Sequence, residues 1–209
     1  GDMRYIKHED SQLHFAQTEK PVLKDNEVLI AVAAIGVNRA DCLQRQGKYP
    51  APKGDSEILG LECAGTIVEQ GSAVSGDWLN KRVFTLCAGG AYSEYVAVDA
   101  AQVMPLPDEM TMAEGAAISE VYLTAFSALF QFGQLKAGQT ALIHAGASGV
   151  GGAAIQMAKR AGAQVVITAG SDEKCEHAKQ LGADHTINYK TTDFVEYFKA
   201  NNLQANTIV

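Results

Sequence analysis

The stretch Leu142-Ile143-His144-Ala145-Gly146-Ala147-Ser148-Gly149-Val150-Gly151-Gly152 restricts the fold more than any other part of the chain. Thr140 to Ala145 is an apolar run with the length and composition of a buried strand. A turn of small residues follows, and Ala153, Ala154, Ile155, Met157 and Ala158 then recur at helical spacing. Strand, small-residue turn and helix start are the parts of a dinucleotide site. The free N–H groups and positive dipole end of the helix face the turn, and a pyrophosphate reaches them only if no side chain intrudes. In the pattern G-x-G-x-x-G, Gly146 and Gly151 take the outer places and Ser148 stands at the middle one, with Gly149 and Val150 completing the turn. The serine leaves open a turn and nothing more, but the flanking strand and helix favour nucleotide binding.

Beyond that turn the chain alternates. The first helix runs to about Ala161, and Gln164 to Thr168 is a second strand. Asp172 to Leu181 is a second helix closed by Gly182, His185 to Asn188 a third strand, and Asp193 to Ala200 a third helix. Asn206 to Val209 is a fourth strand at its start. Strands and helices joined by short links imply right-handed parallel βαβ units.

The preceding part, Met3 to about Pro105, is β-rich. Glu27 to Val37, Gly65 to Gly71, Arg82 to Leu86 and Tyr92 to Val98 read as strands separated by Gly, Pro and Asp turns, the pattern of a small barrel or sandwich. Asn38 to Gly47 interrupts it with a short helical turn, and Tyr49 to Gly54 is a loop. Thr111 and Glu114 form a capping box, opening a helical run whose apolar part, Ala116 to Phe132, bridges the β-rich and αβ parts.

Net charge is −7, which argues against a nucleic-acid surface or a polybasic membrane contact. No apolar run is long enough to span a bilayer, and no signal-peptide pattern opens the chain. Gly1-Asp2 before Met3 reads as an expression remnant, with Met3 the native start. Cys42, Cys63, Cys87 and Cys175 are scattered without a C-x-x-C pair, as reduced thiols of a cytoplasmic protein are.

Five motifs carry a family resemblance. They are Gly36-Val37-Asn38-Arg39-Ala40-Asp41, Arg45-Gln46-Gly47-Lys48-Tyr49-Pro50, Leu59-Gly60-Leu61-Glu62-Cys63-Ala64-Gly65, Gly89-Gly90-Ala91-Tyr92-Ser93-Glu94-Tyr95, and His144 through Gly151. Their order and spacing resemble the zinc-independent quinone oxidoreductase branch of the medium-chain dehydrogenase/reductase superfamily, nearest to its tumour-suppressor-inducible subgroup. The resemblance implies an α/β chain: an N-terminal GroES-like β-rich substrate domain over 1–119, then a Rossmann-like parallel βαβ domain over 120–209. It implies NADPH as cofactor and hydride transfer to a quinone in the cleft between the domains. The family's Rossmann domain has six strands, so the chain is expected to be roughly the first two thirds of a protein that forms homo-oligomers when whole. A half sheet of this kind is expected to expose an apolar edge.

Zinc-dependent relatives carry a cysteine at the place of Asn38 and a histidine at that of Leu61. Without those ligands no catalytic metal is expected, and Glu62 reads as a structural carboxylate. At the end of the second strand NAD enzymes place a carboxylate. Here Gly170 and Ser171 leave room and a donor for a 2′-phosphate, and Lys174 supplies charge. Ser171 as a plain helix cap beside a solvated Lys174 is the bland alternative, and Asp172 past the strand end could imitate the NAD carboxylate. Tyr189 matches the family residue near the adenosine phosphate, and Thr124 one near the cofactor, though by itself Thr124 would be a helix packing residue.

The resemblance assigns the active site to Asn38 and Tyr49, near the nicotinamide and the quinone carbonyl. A quinone accepting hydride develops negative charge on oxygen, so neutral hydrogen-bond donors suffice. Asn38 could equally cap the following turn, and Tyr49 could simply pack on Pro50. His144 reads as a satisfied core histidine, and Cys42 and Cys63 as packing residues. Two other functions stay open: reduction of α,β-unsaturated carbonyls or enoyl thioesters, and non-catalytic NADPH binding of the crystallin kind.

Overall fold

A computed structural model describes all residues from Gly1 to Val209. The chain divides into two compact units, Gly1–Glu120 and Val121–Val209.

The first unit is built on antiparallel strands. Strands β1 (Asp2–Glu9) and β2 (Gln12–Glu19) form a hairpin. Its two turn residues, Asp10 and Ser11, both take positive φ, 49° and 61°, the conformation that matches the twist of paired strands. Five further strands make a sheet in the order β6-β3-β4-β5-β7: β3 (Glu27–Ile35), β4 (Glu62–Gln70), β5 (Arg82–Leu86), β6 (Tyr95–Asp99) and β7 (Met104–Pro105). Val28, Ile30, Cys63, Ile67, Val83, Val96 and Val98 fill its core. Irregular register between Val32 and Ala34 breaks the β3–β4 ladder close to the end from which the chain enters α1 (Arg39–Arg45).

Two expected strands are displaced. Expected from Gly65, β4 begins at Glu62, so the acidic residue belongs to the sheet. Expected from Tyr92, β6 begins only at Tyr95; Tyr92 is buried in irregular chain before it, its N–H held by the Leu59 carbonyl at 2.8 Å.

The apolar run after Thr111 is not one helix. The capping box forms, with Glu114 N–H donating to Thr111 Oγ1 at 3.1 Å and Thr111 N–H to Glu114 Oε2 at 2.8 Å. Helix α2 (Met112–Ala116) then stops at Ala117, and α3 (Ser119–Phe126) begins anew. The restart has a cause outside the run: the Glu120 N–H donates to Glu62 Oε2 at 2.8 Å instead of continuing the helical ladder. Beyond α3, Ser127–Phe132 is wound as a π-helix, closed by Gly133 N–H on the Ala128 carbonyl at 2.9 Å.

The second unit is a parallel sheet in the order β10-β9-β8-β11, with β8 (Thr140–Ile143), β9 (Gln164–Ala169), β10 (His185–Asn188) and β11 (Thr207–Ile208). Helices α4 (Gly149–Arg160), α5 (Asp172–Gln180) and α6 (Phe194–Ala200) connect them. Strand alternation divides the apolar residues between two faces. Ala141, Ile143, Val165 and Ile167 pack with Ala154, Ile155 and Ala158 of α4, while Leu142, Val166 and Ile187 pack with Phe194 and Phe198 of α6. A parallel sheet covered on both faces reads as continuous apolar sequence, as these strands do. Together the units are a GroES-like β-rich domain and a Rossmann-like parallel sheet, an α/β chain.

Candidate functional site

The glycine turn leaves β8 and enters α4. Gly146 N–H donates to the Thr168 carbonyl at 3.0 Å, which holds the turn against the end of β9. A Cβ on Gly146 would lie 2.6 Å from Ile167 Cβ, so only glycine allows that approach. A Cβ on Gly151 would lie 2.4 Å from the Ala145 carbonyl oxygen, so the third glycine is what lets helix and strand close on each other. Ser148 has extended backbone at φ −75° and ψ 168°, and needs no glycine. Its hydroxyl accepts from Gly151 N–H at 3.0 Å, capping α4. Gly149 and Val150, the first two residues of the helix, keep N–H groups with no acceptor within the chain. The turn's positive φ, 52°, belongs to Ala145 and not to a glycine.

Two further loops end beside this turn. After β9, a Cβ on Gly170 would fall 2.7 Å from the Tyr189 hydroxyl oxygen. Tyr189 N–H in turn donates to the Ala169 carbonyl at 3.1 Å. Gly170 and Tyr189, distant in sequence, therefore lie one against the other. Ser171 caps α5, accepting from Lys174 N–H at 3.2 Å, and its own O–H stays free to donate. Lys174 is exposed and pairs with no carboxylate. Asp172 Oδ1 accepts from Asn188 Nδ2 at 2.9 Å, so the acidic residue nearest the strand end already has a partner. Thr124 is exposed on α3, one turn beyond Val121, whose side chain lies against Gly149. Exposed in this way, Thr124 is not a packing residue.

The first unit holds Asn38 at the N-cap of α1, half-buried. Its backbone N–H donates to Asp41 Oδ2 at 2.9 Å and its Nδ2 to Glu62 Oε1 at 3.0 Å. Asp41, 2% exposed, also accepts from the Tyr92 hydroxyl at 3.1 Å. Burial, then the Asp41 charge, pushes the Tyr92 hydroxyl well above the usual tyrosine range, so it donates at all ordinary pH. Glu120 is likewise held above the ordinary glutamate range by burial and by the charges of Glu62 and Asp41. Asn38 belongs to a network joining α1, β4, the Tyr92 segment and the first turn of α3. Sequence showed Glu62 as a carboxylate but not this network, whose partners are separated by 24, 51 and 58 residues. Tyr49, by contrast, is 54% exposed in the loop after α1.

Two single-residue readings are corrected. His144 follows the end of β8 and is exposed, not a core residue; its Nδ1 lies 2.9 Å from the Thr168 hydroxyl and its ring edge meets Phe194. Cys42 is exposed on α1 and is no core packing residue, whereas Cys63 is buried with its Sγ 3.9 Å from that of Cys87.

No group of three or more His, Cys, Asp or Glu side chains is arranged to hold a metal ion, and no helix is long and apolar enough to cross a membrane.

A GroES-like sheet followed by a glycine-turn parallel sheet is the plan of a dehydrogenase or reductase. Residues 24–108 match the alcohol dehydrogenase GroES-like domain and residues 149–207 the zinc-binding dehydrogenase domain. The chain belongs to the medium-chain dehydrogenase/reductase superfamily. It is 37% identical over 177 residues to the synaptic vesicle membrane protein VAT-1 homolog of Danio rerio, covering 85% of this chain and 37% of that protein. Among solved structures it resembles the Escherichia coli quinone oxidoreductase complexed with NADPH, with a TM-score of 0.83 and 32% identity, covering 97% of this chain and 63% of that one. It also resembles the CurK enoyl reductase, with a TM-score of 0.88 and 31% identity, covering 96% of this chain and 64% of that one. The chain thus spans less than two thirds of the length of these relatives.

Proposed function

We propose that this chain serves an NADPH-dependent, zinc-independent reductase that transfers hydride to quinones. The observation that carries the reading is that Asp172, the carboxylate at the start of α5 nearest the end of β9, is already engaged by Asn188. Beside it the Ser171 O–H is free to donate, Lys174 is exposed without a carboxylate partner and Gly170 carries no side chain, which together support recognition of a 2′-phosphate. The cradle fits the pyrophosphate as well, since Gly146, Ser148, Gly149, Val150 and Gly151 put no long side chain before the free N–H groups of α4.

When bound, NADPH supplies the hydride. The roles left to this chain are binding and electrostatic. Lys174, Ser171 and Tyr189 hold the adenosine end, and Thr124 contributes near the cofactor. Asn38 donates from its amide to the acceptor's carbonyl oxygen as negative charge develops on it, and Tyr49 supports it as a second neutral donor. No Lewis acid is required, because Asn38 and Leu61 replace the side chains that would hold one. The E. coli relative's description as a quinone oxidoreductase complexed with NADPH supports acceptor and cofactor together.

The likeness to an enoyl reductase supports a second acceptor, a conjugated enoyl group, which poses the same demand for a donor at oxygen. The test is oxidation of NADPH by the whole protein against a panel of quinones, enals and enoyl thioesters. Turnover with quinones is expected; turnover confined to enoyl thioesters would select the second reading, and none with any acceptor would leave a binding protein.

A further inference from the structure

We infer that Glu62 is a positioning residue for Asn38, setting which end of its side-chain amide faces the substrate. The inference rests on the reading of Asn38 as the donor to the acceptor carbonyl.

A primary amide turned by half a rotation exchanges a donor for an acceptor with almost no change of shape. For a residue asked to stabilise developing negative charge, one of those two orientations is useless. Something must choose between them, and at Asn38 the chooser is on the same network. Glu62 is 2% exposed, and an ionised carboxylate can only accept. Its Oε1 therefore takes a hydrogen from Asn38 Nδ2, at 3.0 Å. That leaves the amide one further N–H and keeps its Oδ1 turned away from Glu62.

Glu62 is itself held from three sides. Its Oε2 accepts from Glu120 N–H at 2.8 Å, in the first turn of α3, where the positive end of the helix faces the carboxylate. Its backbone carbonyl accepts from Gly36 N–H at 3.4 Å. Its carboxylate lies against Gly36 so closely that a Cβ there would be 2.0 Å from Oε1. The glycine two residues before Asn38 is what admits the carboxylate to this place. Glu62 is thus fixed before any substrate arrives, and its charge is answered by α3.

Glu62→Gln separates positioning from simple support, because it preserves shape. The amide oxygen of the new side chain can keep the Glu120 N–H. Its amide nitrogen then faces Asn38, which must turn its Oδ1 inward and surrender the set orientation. In the whole protein, turnover with quinone should fall about ten-fold or more in kcat, short of the roughly hundred-fold loss of a complete oxyanion donor. NADPH affinity should not change. In an Asn38→Ala background the same substitution should have no further effect on kcat, since there is no amide left to orient. An equal loss in both backgrounds would overturn the inference and leave Glu62 a structural carboxylate. If Asn38→Ala itself leaves turnover intact, the donor reading of Asn38 fails instead.

A measurement on the unaltered protein needs no activity. By NMR, one of the two Asn38 side-chain amide hydrogens should exchange with solvent more slowly than those of exposed asparagines such as Asn201. Equal, rapid exchange of both Asn38 hydrogens would show that Glu62 does not hold the amide.

Discussion

The side-chain amide of Asn188 donates to Asp172 Oδ1 at 2.9 Å, joining the end of β10 to the first residue of α5. Asp172 is the acidic group nearest the place where an NAD enzyme accepts from the ribose 2′-hydroxyl. Engaged with Asn188, it leaves Lys174 as the unpaired positive charge of that loop. NADPH is therefore expected to bind the whole protein more tightly than NADH. A hydrogen bond to a charged group contributes about 1.5–3 kcal/mol, so Lys174→Ala should weaken NADPH roughly ten-fold or more while leaving NADH little changed. Asn188→Ala, which releases Asp172, should narrow the preference. Titration of both cofactors checks this, and equal affinities in the unaltered protein would contradict it.

Gly151→Ala should destabilise the second unit. The added Cβ would meet the Ala145 carbonyl oxygen at 2.4 Å, a backbone atom in a segment that also holds Gly146 against Ile167. Overpacking of this kind costs about 1–3 kcal/mol. A lowered midpoint of urea unfolding is expected, whereas Gly138→Ala, where nothing lies within 4 Å of the added atom, tests the separate cost of its positive φ.

Glu120 gives the first unit a pH dependence of definite sign. Burial first, then the charges of Glu62 and Asp41, raise its carboxyl above the ordinary value of 4.5. Between the ordinary and the raised value the folded chain binds more protons than the unfolded one, so this group's contribution to stability falls as pH rises through that window. Glu120→Gln should remove the fall and make the protein relatively more stable at neutral pH than at pH 4. Denaturant unfolding of both proteins across this range is the measurement; identical pH profiles would count against the assignment.

Turnover should not depend on a metal. Asn38 bonds to Glu62, and Leu61 has no ligating atom, so the two places that carry zinc ligands in zinc-dependent relatives hold none here. Exhaustive chelation followed by elemental analysis should leave activity unchanged. Activity lost to a chelator and restored by zinc would show a site outside these residues.

Sequence by itself determined the elements whose causes are local. Arg82–Leu86 and His185–Asn188 are strands with the bounds that apolar patterning predicts, and Thr111 with Glu114 forms the predicted capping box. The β8–turn–α4 unit was legible for the same reason, since strand composition, small residues and helical spacing all fall within twenty residues. Tertiary structure decided what depends on partners far along the chain. Periodicity saw one helix after Thr111, but the Glu62 carboxylate, 58 residues away, captures the Glu120 N–H and starts α3 anew. Ser148 looked like a departure from a glycine pattern; in the fold it is the cap of α4, because that position needs an extended backbone and a hydroxyl rather than positive φ. His144 follows three buried residues, Ala141 to Ile143, and reads as one more of them, yet the strand ends one residue before it. Asn38 could be named as a candidate from its motif, but the hydrogen bond that sets its amide is a contact between strand and loop that no local pattern records. Short-range patterns encode backbone conformation and burial, while the orientation of a polar side chain is set by whichever donor or acceptor the fold brings to it.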